Sequence, residues 1–164
     1  MAVPLLEVKD LTVRFRTDDG WMTAVDRVSL AVGEGEALGI VGESGSGKSV
    51  TALSILRLHA APTTRMPTGQ IMYGGRDLLT VPGRDMRAIR GREIAMIFQD
   101  PMSSLNTVLT IADQIGETLR LHQGLDQATA RQRAIDLLDL VRIPDAARRV
   151  DEYPHRLSGG TRQR

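Results

Sequence analysis

Residues 36–49 read EALGIVGESGSGKS, and this stretch decides the fold. Its last eight residues, Gly42 to Ser49, fit the pattern G-x-x-x-x-G-K-[ST], in which backbone N–H groups of a glycine-rich loop surround anionic oxygens. The apolar run of residues 36–41 predicts a buried strand before the loop, and the apolar residues of 50–58 predict a buried helix after it. Strand, glycine-rich loop and helix in this order indicate a phosphate-binding loop.

The residue types in this loop fit the phosphates of a nucleotide. Glycines let the backbone come close to the anion, and the following helix points its positive end at the same place. We expect Lys48 to neutralise the β and γ phosphates and the Ser49 hydroxyl to bind Mg²⁺. A glycine-rich surface turn that matches by chance would not be flanked by this strand and helix. The predicted nucleotide-binding residues of the loop are Gly42, Glu43, Ser44, Gly45, Ser46, Gly47, Lys48 and Ser49.

Composition narrows the possible classes of protein. The 164 residues are 41% hydrophobic and 25% charged, which is typical of a globular chain with one sizeable core. No apolar stretch approaches the roughly 20 residues that cross a bilayer, and residues 1–9 lack the basic and apolar regions of a signal peptide. We therefore expect a protein of the cytoplasm or of the cytoplasmic face of the membrane.

Several chemistries are excluded by residue content. The chain contains no cysteine, so disulfides, thiolate catalysis and cysteine-ligated metal sites are excluded within it. Its three histidines show no metal-ligand spacing. A net charge of +1, with no aromatic residues among the arginine clusters, argues against nucleic-acid binding.

The residues around the loop predict further elements. Alternating apolar and polar residues at 5–15 and 25–32 predict an antiparallel pair of strands. A connection at 62–68, a short strand at 70–73, a Gly74-Gly75 turn and a short helix at 84–90 follow. Residues 94–98 predict a second buried strand, which would place Gln99 at the ligand-binding end of an α/β sheet.

The last third of the chain is predicted to be helical. Apolar residues recur every three or four positions from 111 to 119 and from 130 to 141, which predicts two amphipathic helices separated near Gly124. Asp126 is the expected cap of the second helix, and Pro144 marks a stop beyond it. The final residues, 157–164, read LSGGTRQR and resemble a helix start, in which Ser158 and two glycines would present N–H groups to an anion.

Taken together, these motifs resemble those of the ATP-binding subunits of ABC transporters. GESGSGKS is similar to their Walker A, the Gln99 of FQDP to their Q-loop, and LSGGTRQR to their signature. The stretches IVGESGSGKS, MIFQDPMSSLN and YPHRLSGGTRQR resemble most closely the oligopeptide and dipeptide importers, some of which carry nickel or glutathione. The chain departs from the family pattern at Thr161, where Gln is usual, and at Thr107, where these importers often have Pro.

The resemblance implies a fold and a set of ligand contacts. The fold would be that of an α/β P-loop ABC nucleotide-binding domain: a partial RecA-like core with an N-terminal antiparallel β subdomain in residues 1–99, and an α-helical subdomain in residues 100–164. Phe15 would stack on adenine, with Trp21 as the competing candidate and core packing as the alternative for either. Gln99 would contact Mg²⁺. The residues expected to contact the ATP of an opposite subunit are Leu157, Ser158, Gly159, Gly160 and Thr161.

Partners follow from the same resemblance. The expected protein is a peripheral motor subunit on the cytoplasmic face of the cell membrane. It would pair with a second ABC ATPase, identical or different, and bind membrane permease subunits that receive peptides or a similar small solute from an extracytoplasmic solute-binding protein. ATP and Mg²⁺ are the expected cofactors.

The family pattern also includes motifs that these 164 residues do not contain. Walker B would supply the Asp that holds magnesium and the Glu that polarises water, and a switch histidine would help to position that water. We therefore expect no catalytic residue within the chain, no hydrolysis by it alone, an incomplete sheet near Leu38 and poor solubility. The alternatives are a non-catalytic nucleotide-binding remnant and a soluble ABC-type ATPase not coupled to transport.

Overall fold

The computed structural model of the chain describes residues 3–98 and 104–163. The chain divides into two compact units, Met1–Arg87 and Ala88–Arg164. A sheet and helix α1 (Lys48–Ile55) lie in the first unit, and helix α2 (Gly83–Ile89) crosses the boundary. The predicted short helix at 84–90 is therefore confirmed, whereas the predicted division after residue 99 stays a prediction.

The sheet of the first unit is antiparallel. Its strands are β1 (Leu6–Thr17), β2 (Gly20–Val32), β3 (Thr64–Tyr73) and β4 (Arg76–Asp77), in the order β2-β1-β3-β4. The antiparallel pair predicted at 5–15 and 25–32 is confirmed, and the two-residue turn between its strands makes both longer than expected. β3 begins at residue 64, so the predicted connection at 62–68 is wrong from residue 64 onward, because that part of the chain pairs with β1. The Gly74-Gly75 turn is confirmed between β3 and β4.

Side chains from β1 and β3 supply much of the buried core of this unit. Val8, Leu11, Val13 and Ile71 have no exposed surface. Burial of such a side chain stabilises the fold by about 1.5–3 kcal/mol. The register of β1 shifts between Val8 and Leu11. This irregularity allows neighbouring residues of the strand to be buried together, whereas in a regular strand one of them would face outward.

A glycine on β3 makes this register possible. Gly69 has φ +108, and a Cβ there would lie 2.6 Å from the Leu11 Cα and 2.8 Å from the Lys9 carbonyl oxygen. No side chain fits in that space. β1 and β3 therefore approach each other closely at the irregularity, and only glycine satisfies both the backbone angle and the contact.

Two predicted buried strands do not form. Residues 36–41 carry no strand, and Leu38, Ile40 and Val41 are exposed. Residues 94–98 form only one parallel bridge, between Ile94 and Arg90, while Ile97 is 95% exposed. A parallel strand requires neighbours that arrive through long crossovers, and no strand within residues 3–98 and 104–163 pairs with either segment. The expected incompleteness of the sheet near Leu38 stays a prediction.

The helix after the loop is confirmed but is shorter and less buried than predicted. α1 ends at Ile55, and its buried residues are Thr51 and Ser54. Leu58, which was predicted to lie in the helix, follows its end and is 41% exposed. The apolar residues of this stretch therefore do not make a helix that is buried on all sides.

The helices of the second unit begin and end at local signals. They are α3 (Ile111–Gln123), α4 (Gln127–Leu140), α5 (Ala146–Arg149) and α6 (Gly159–Gln163), with a 3₁₀ turn at Pro154–Arg156. Thr110 and Asp113 form a capping box at the start of α3, and Gly124 ends that helix in the left-handed conformation. Asp126 caps α4 by accepting the Thr129 N–H, as predicted.

Helices α3, α4 and α5 and the segments that follow them share one apolar core, in which Ile111, Ala134 and Leu138 belong to the predicted helical pattern. The described core residues are Ile111, Ala134, Ile135, Leu138, Ile143, Ala146, Val150 and Leu157. No helix in the described part of the chain combines the length and apolar character needed to span a bilayer.

Candidate functional site

The phosphate-loop residues form one turn that leads directly into helix α1. Gly45 and Gly47 both have positive φ, and Gly47 is the N-cap of α1 in the left-handed conformation. The Thr51 N–H donates to the Gly47 carbonyl at 2.8 Å, which closes the first helical turn. The glycines turn the backbone as expected, and the helix starts at Lys48, two residues before its predicted start at residue 50.

Strand β2 supports this turn from one side. A Cβ on Gly47 would lie 2.8 Å from the Ala24 carbonyl oxygen and 3.2 Å from a methyl group of Val25. Gly47 is therefore required both by its φ of +90° and by contact with the neighbouring strand. No residue pattern marks Ala24 for this role, since only its backbone oxygen takes part.

Lys48 spans the loop through its ammonium group. Nζ donates to the carbonyl oxygens of Gly42 and Glu43, both at 2.7 Å, and to Ser46 Oγ at 3.2 Å. These acceptors are neutral, whereas phosphate oxygens are charged and form stronger hydrogen bonds with an ammonium group. The side chain is thus held within the loop by groups that an anionic oxygen can replace.

The start of α1 offers backbone donors to an anion. The first N–H groups of any helix have no carbonyl one turn earlier to bond to, and no side chain caps α1, because its N-cap is glycine. Ser44 and Ser49 are exposed at the same turn. The uncapped helix start and the Lys48 ammonium therefore lie in one turn with two exposed serines, and these are groups that could hold a nucleoside triphosphate with Mg²⁺.

Phe15 and Trp21 lie near the paired ends of β1 and β2 and differ in their surroundings. Phe15 is half-buried, and its ring meets the His59 ring edge to face, with centroids 5.3 Å apart. Trp21 is 37% exposed, and the Arg65 guanidinium carbon lies 4.4 Å from its ring centroid. Arg65 thus already covers one face of the Trp21 ring. The role of Phe15 in stacking on a base stays a prediction.

The LSGG segment lies in the second unit, where Leu157 and Ser158 have different surroundings. Leu157 is buried in the helical core, whereas Ser158 and the two following glycines are exposed. Ser158 Oγ accepts the Thr161 N–H at 3.3 Å and lies 2.8 Å from the Thr161 hydroxyl. A short helix begins here as predicted, and Ser158 caps it. Gln99, the predicted Q-loop residue, lies outside the described residues.

Comparison with protein families decides the identity. The family model described as ABC transporter matches residues 25–164. The chain belongs to the ABC transporter family. That match covers the phosphate loop and extends over the LSGG segment, so the two motifs that the sequence singled out lie in one family domain.

Curated relatives extend this family assignment. A Brucella abortus (strain 2308) protein named "Putative peptide import ATP-binding protein" is 63% identical over 161 residues, covering 98% of this chain and 48% of its own length. The peptidoglycan transport ATP-binding protein YejF of Agrobacterium fabrum (strain C58) is 53% identical over 161 residues, covering 98% of this chain and 30% of its own length. The chain spans about half the length of the Brucella relative and less of YejF.

A solved structure supports the fold. The ATP-binding cassette MJ0796, in a dimeric post-hydrolysis state bound to ADP and Pi, superposes with a TM-score of 0.80 at 24% sequence identity. The match covers 96% of this chain and 65% of the other. The fold is therefore that of an ABC nucleotide-binding domain, as the sequence predicted, and the chain corresponds to part of it.

Sequence reasoning missed one residue of this region. It treated His59 only as a histidine without metal-ligand spacing, yet the ring contacts both Phe15 and the helix that follows the phosphate loop. No pattern could have revealed this contact. It depends on a chain reversal at Arg57, which is not one of the residue types that usually mark such a turn.

Proposed function

We propose that the full-length protein is the ATP-binding and ATP-hydrolysing motor subunit of an ABC importer for peptides or a similar small solute. The observation that supports this most directly is the loop at Gly42 to Ser49, where the Lys48 ammonium lies against the loop carbonyls and the helix start has no side-chain cap. The names of the relatives support peptides as the solute. Because those relatives are about twice as long as this chain, hydrolysis belongs to the proposal for the full-length protein.

In this proposal the loop residues divide the work of holding MgATP. The backbone from Gly42 to Gly47 surrounds the phosphates, and Lys48 exchanges its loop acceptors for the β and γ phosphate oxygens. The Ser49 hydroxyl and Gln99 bind Mg²⁺, which neutralises charge on the transferred phosphoryl group. Phe15 stacks on adenine. Within this chain no residue is assigned as the catalytic base.

The helical unit is proposed to meet the partners. The exposed Ser158 and Gly160 would contact the γ-phosphate held by a second ABC subunit, with Leu157 anchoring them in the helical core. An apolar cavity of about 240 Å³ in the same unit is lined by residues that include Leu105 and Ile115. A cavity of this size has room for an apolar side chain or two of a permease segment. The motor would thus lie at the cytoplasmic face of the membrane, fed by an extracytoplasmic solute-binding protein.

Uptake of labelled peptide by cells that carry Lys48→Ala tests this function. Lysine is the point charge at the β and γ phosphates, so its loss is expected to abolish uptake at normal protein abundance. Lys9→Ala is the matched control, because Lys9 is the only other lysine of the chain and its exposed ammonium group pairs with Glu7 of the same strand. Unaffected uptake in the Lys48→Ala cells would refute the proposal.

A binding measurement separates nucleotide binding at the loop from ATP-driven uptake. MgATP affinity of the purified protein is expected to fall by more than about tenfold in Lys48→Ala and to stay unchanged in Lys9→Ala. Lost uptake with lost binding supports an ATP-driven motor. Normal ATP binding by Lys48→Ala would instead show that the nucleotide site lies elsewhere.

A further inference from the structure

Helix α1 ends in a way that sends the chain back along its own side. The Leu58 N–H donates to the Leu53 carbonyl at 3.0 Å and the Arg57 N–H to the Ser54 carbonyl at 3.0 Å, with Arg57 at φ +50. This pair of bonds around a left-handed residue is a Schellman motif. The residue that follows it, His59, therefore returns toward the first turn of the same helix.

His59 is tied to that first turn by a hydrogen-bonding nitrogen. Nε2 lies 3.0 Å from the Val50 carbonyl oxygen and 3.0 Å from Ser54 Oγ. Ser54, which has no exposed surface, donates its own hydroxyl proton to the Val50 oxygen at 2.7 Å. With a proton on Nε2, the ring donates to the Val50 carbonyl and Ser54 keeps its own bond to that oxygen; with a bare Nε2, the Ser54 hydroxyl turns its proton from the Val50 oxygen to Nε2. In either tautomer the ring is bonded to α1.

The same imidazole ring contacts Phe15. The two rings meet with centroids 5.3 Å apart and planes at 78°, which is the favourable edge-to-face geometry. The backbone keeps them together, because the Arg16 N–H donates to the Thr63 carbonyl at 2.8 Å and Phe15 pairs with Thr64. One side chain thus connects the end of β1 to helix α1.

We infer that His59 is a positioning residue that holds the Phe15 ring for stacking on the nucleotide base and ties it to the phosphate-loop helix. Val50, whose carbonyl it contacts, lies two residues after Lys48 in α1. A ring that stacks on a base contributes most when its orientation is fixed beforehand. The inference rests on the proposed function, because it requires Phe15 to face the base of a nucleotide bound at the loop.

Comparing two ligands isolates the contribution of the base. The dissociation constants of MgATP and of magnesium tripolyphosphate are measured by calorimetry on the full chain. The ratio of the tripolyphosphate dissociation constant to that of MgATP reports the affinity that the nucleoside part adds, and the tripolyphosphate affinity alone reports whether the phosphate loop remains intact. The ratio is expected to fall about tenfold in Phe15→Ala and about threefold in His59→Ala, with tripolyphosphate affinity unchanged in both.

A double variant tests whether His59 acts through Phe15. If it does, Phe15→Ala with His59→Ala has the same ratio as Phe15→Ala alone, because the ring to be positioned is gone. An unchanged ratio in His59→Ala, or fully additive losses in the double variant, would overturn the inference. His59→Phe restores an aromatic edge without a nitrogen, so its ratio is expected to match that of His59→Ala. Full recovery of the ratio would overturn the tie to α1, because ring packing alone would then position Phe15.

The failure of the proposed function would look different. If Phe15→Ala leaves the ratio unchanged, Phe15 does not face the base, and both claims about that ring fail together. If the unmodified chain binds neither ligand, the nucleotide site itself is refuted. His122→Ala provides the matched control, since it removes a half-buried histidine from α3 in the other unit and is expected to leave both affinities unchanged.

Discussion

The antiparallel sheet and the segments at 36–41 and 94–98 are similar in composition and differ in outcome. Ile71 of the sheet has no exposed surface, whereas Ile97 is 95% exposed. β1 reaches β2 across a two-residue turn and pairs on its other side with β3 of the same unit. Parallel strands instead need partners delivered by long crossovers. An apolar run therefore indicates that a segment is suited to burial. Whether it is buried within the described chain depends on where its partner strands lie.

The two isoleucines give the sharpest test of this difference. Ile71→Ala is expected to lower the free energy of unfolding by about 3–4 kcal/mol, since it removes a fully buried side chain and leaves a cavity. Ile97→Ala, the same substitution at an exposed site, is expected to change it by less than about 0.5 kcal/mol. Urea unfolding of each variant of this chain measures both. A loss of several kcal/mol in Ile97→Ala would mean that residues 94–98 are covered after all.

Two glycines test how tightly the sheet strands approach each other. Gly69→Ala is expected to cost about 3 kcal/mol, because its φ is +108 and the added carbon meets three backbone atoms of β1 at less than 3.0 Å. Gly74→Ala also places alanine at positive φ, but open space surrounds it, so we expect about 1 kcal/mol. Equal losses in thermal denaturation would show that backbone strain alone accounts for Gly69.

In the helical unit, the helix ends are stabilised by side chains that lie only a few residues away, and this is a third kind of element to compare. Thr110→Ala removes the side chain that accepts the Asp113 N–H at 3.1 Å, and we expect a loss of about 1 kcal/mol. Thr118→Ala on the exposed face of the same helix is expected to be neutral or slightly stabilising, because alanine favours helices. Urea unfolding compares the two threonines, and a similar loss in both would contradict the capping role.

Acidification should weaken the helical unit slightly. Hydrogen bonds from the Thr129 N–H and hydroxyl lower the pKa of Asp126, and the Arg131 side chain lowers the pKa of Asp151. Folded-state pKa values below the unfolded ones contribute stability above about pH 4, which is lost as the pH falls through the folded values. In the double variant Asp126→Asn with Asp151→Asn, the midpoint of urea unfolding is expected to change less with pH between about pH 5 and about pH 3 than it does in the unmodified chain. An unchanged slope would show that neither group contributes.

The phosphate loop and the helical caps could be predicted because their signals are local. Gly47 and Asp126 each act on backbone groups within a few residues of themselves, so the sequence alone reveals them, and the cap at Thr110, which was not predicted, carries a signal of the same local kind. The Schellman turn at Arg57 could not be predicted, since arginine rarely takes a left-handed conformation. His59 was missed for the same reason, because its two contacts exist only once that turn has formed.

Because β2 lies close to the phosphate loop, the side chain and the backbone carbonyl of Ala24 differ in importance. Its side chain has no assigned role, so many residue types would serve at this position, but its carbonyl oxygen bounds the space at Gly47. A displacement of the hairpin by a few tenths of an ångström, from a substitution well away from any phosphate, would reshape the loop. Variation in nucleotide affinity among variants of this hairpin would then follow the hairpin's backbone geometry more closely than the chemistry of the substituted side chain.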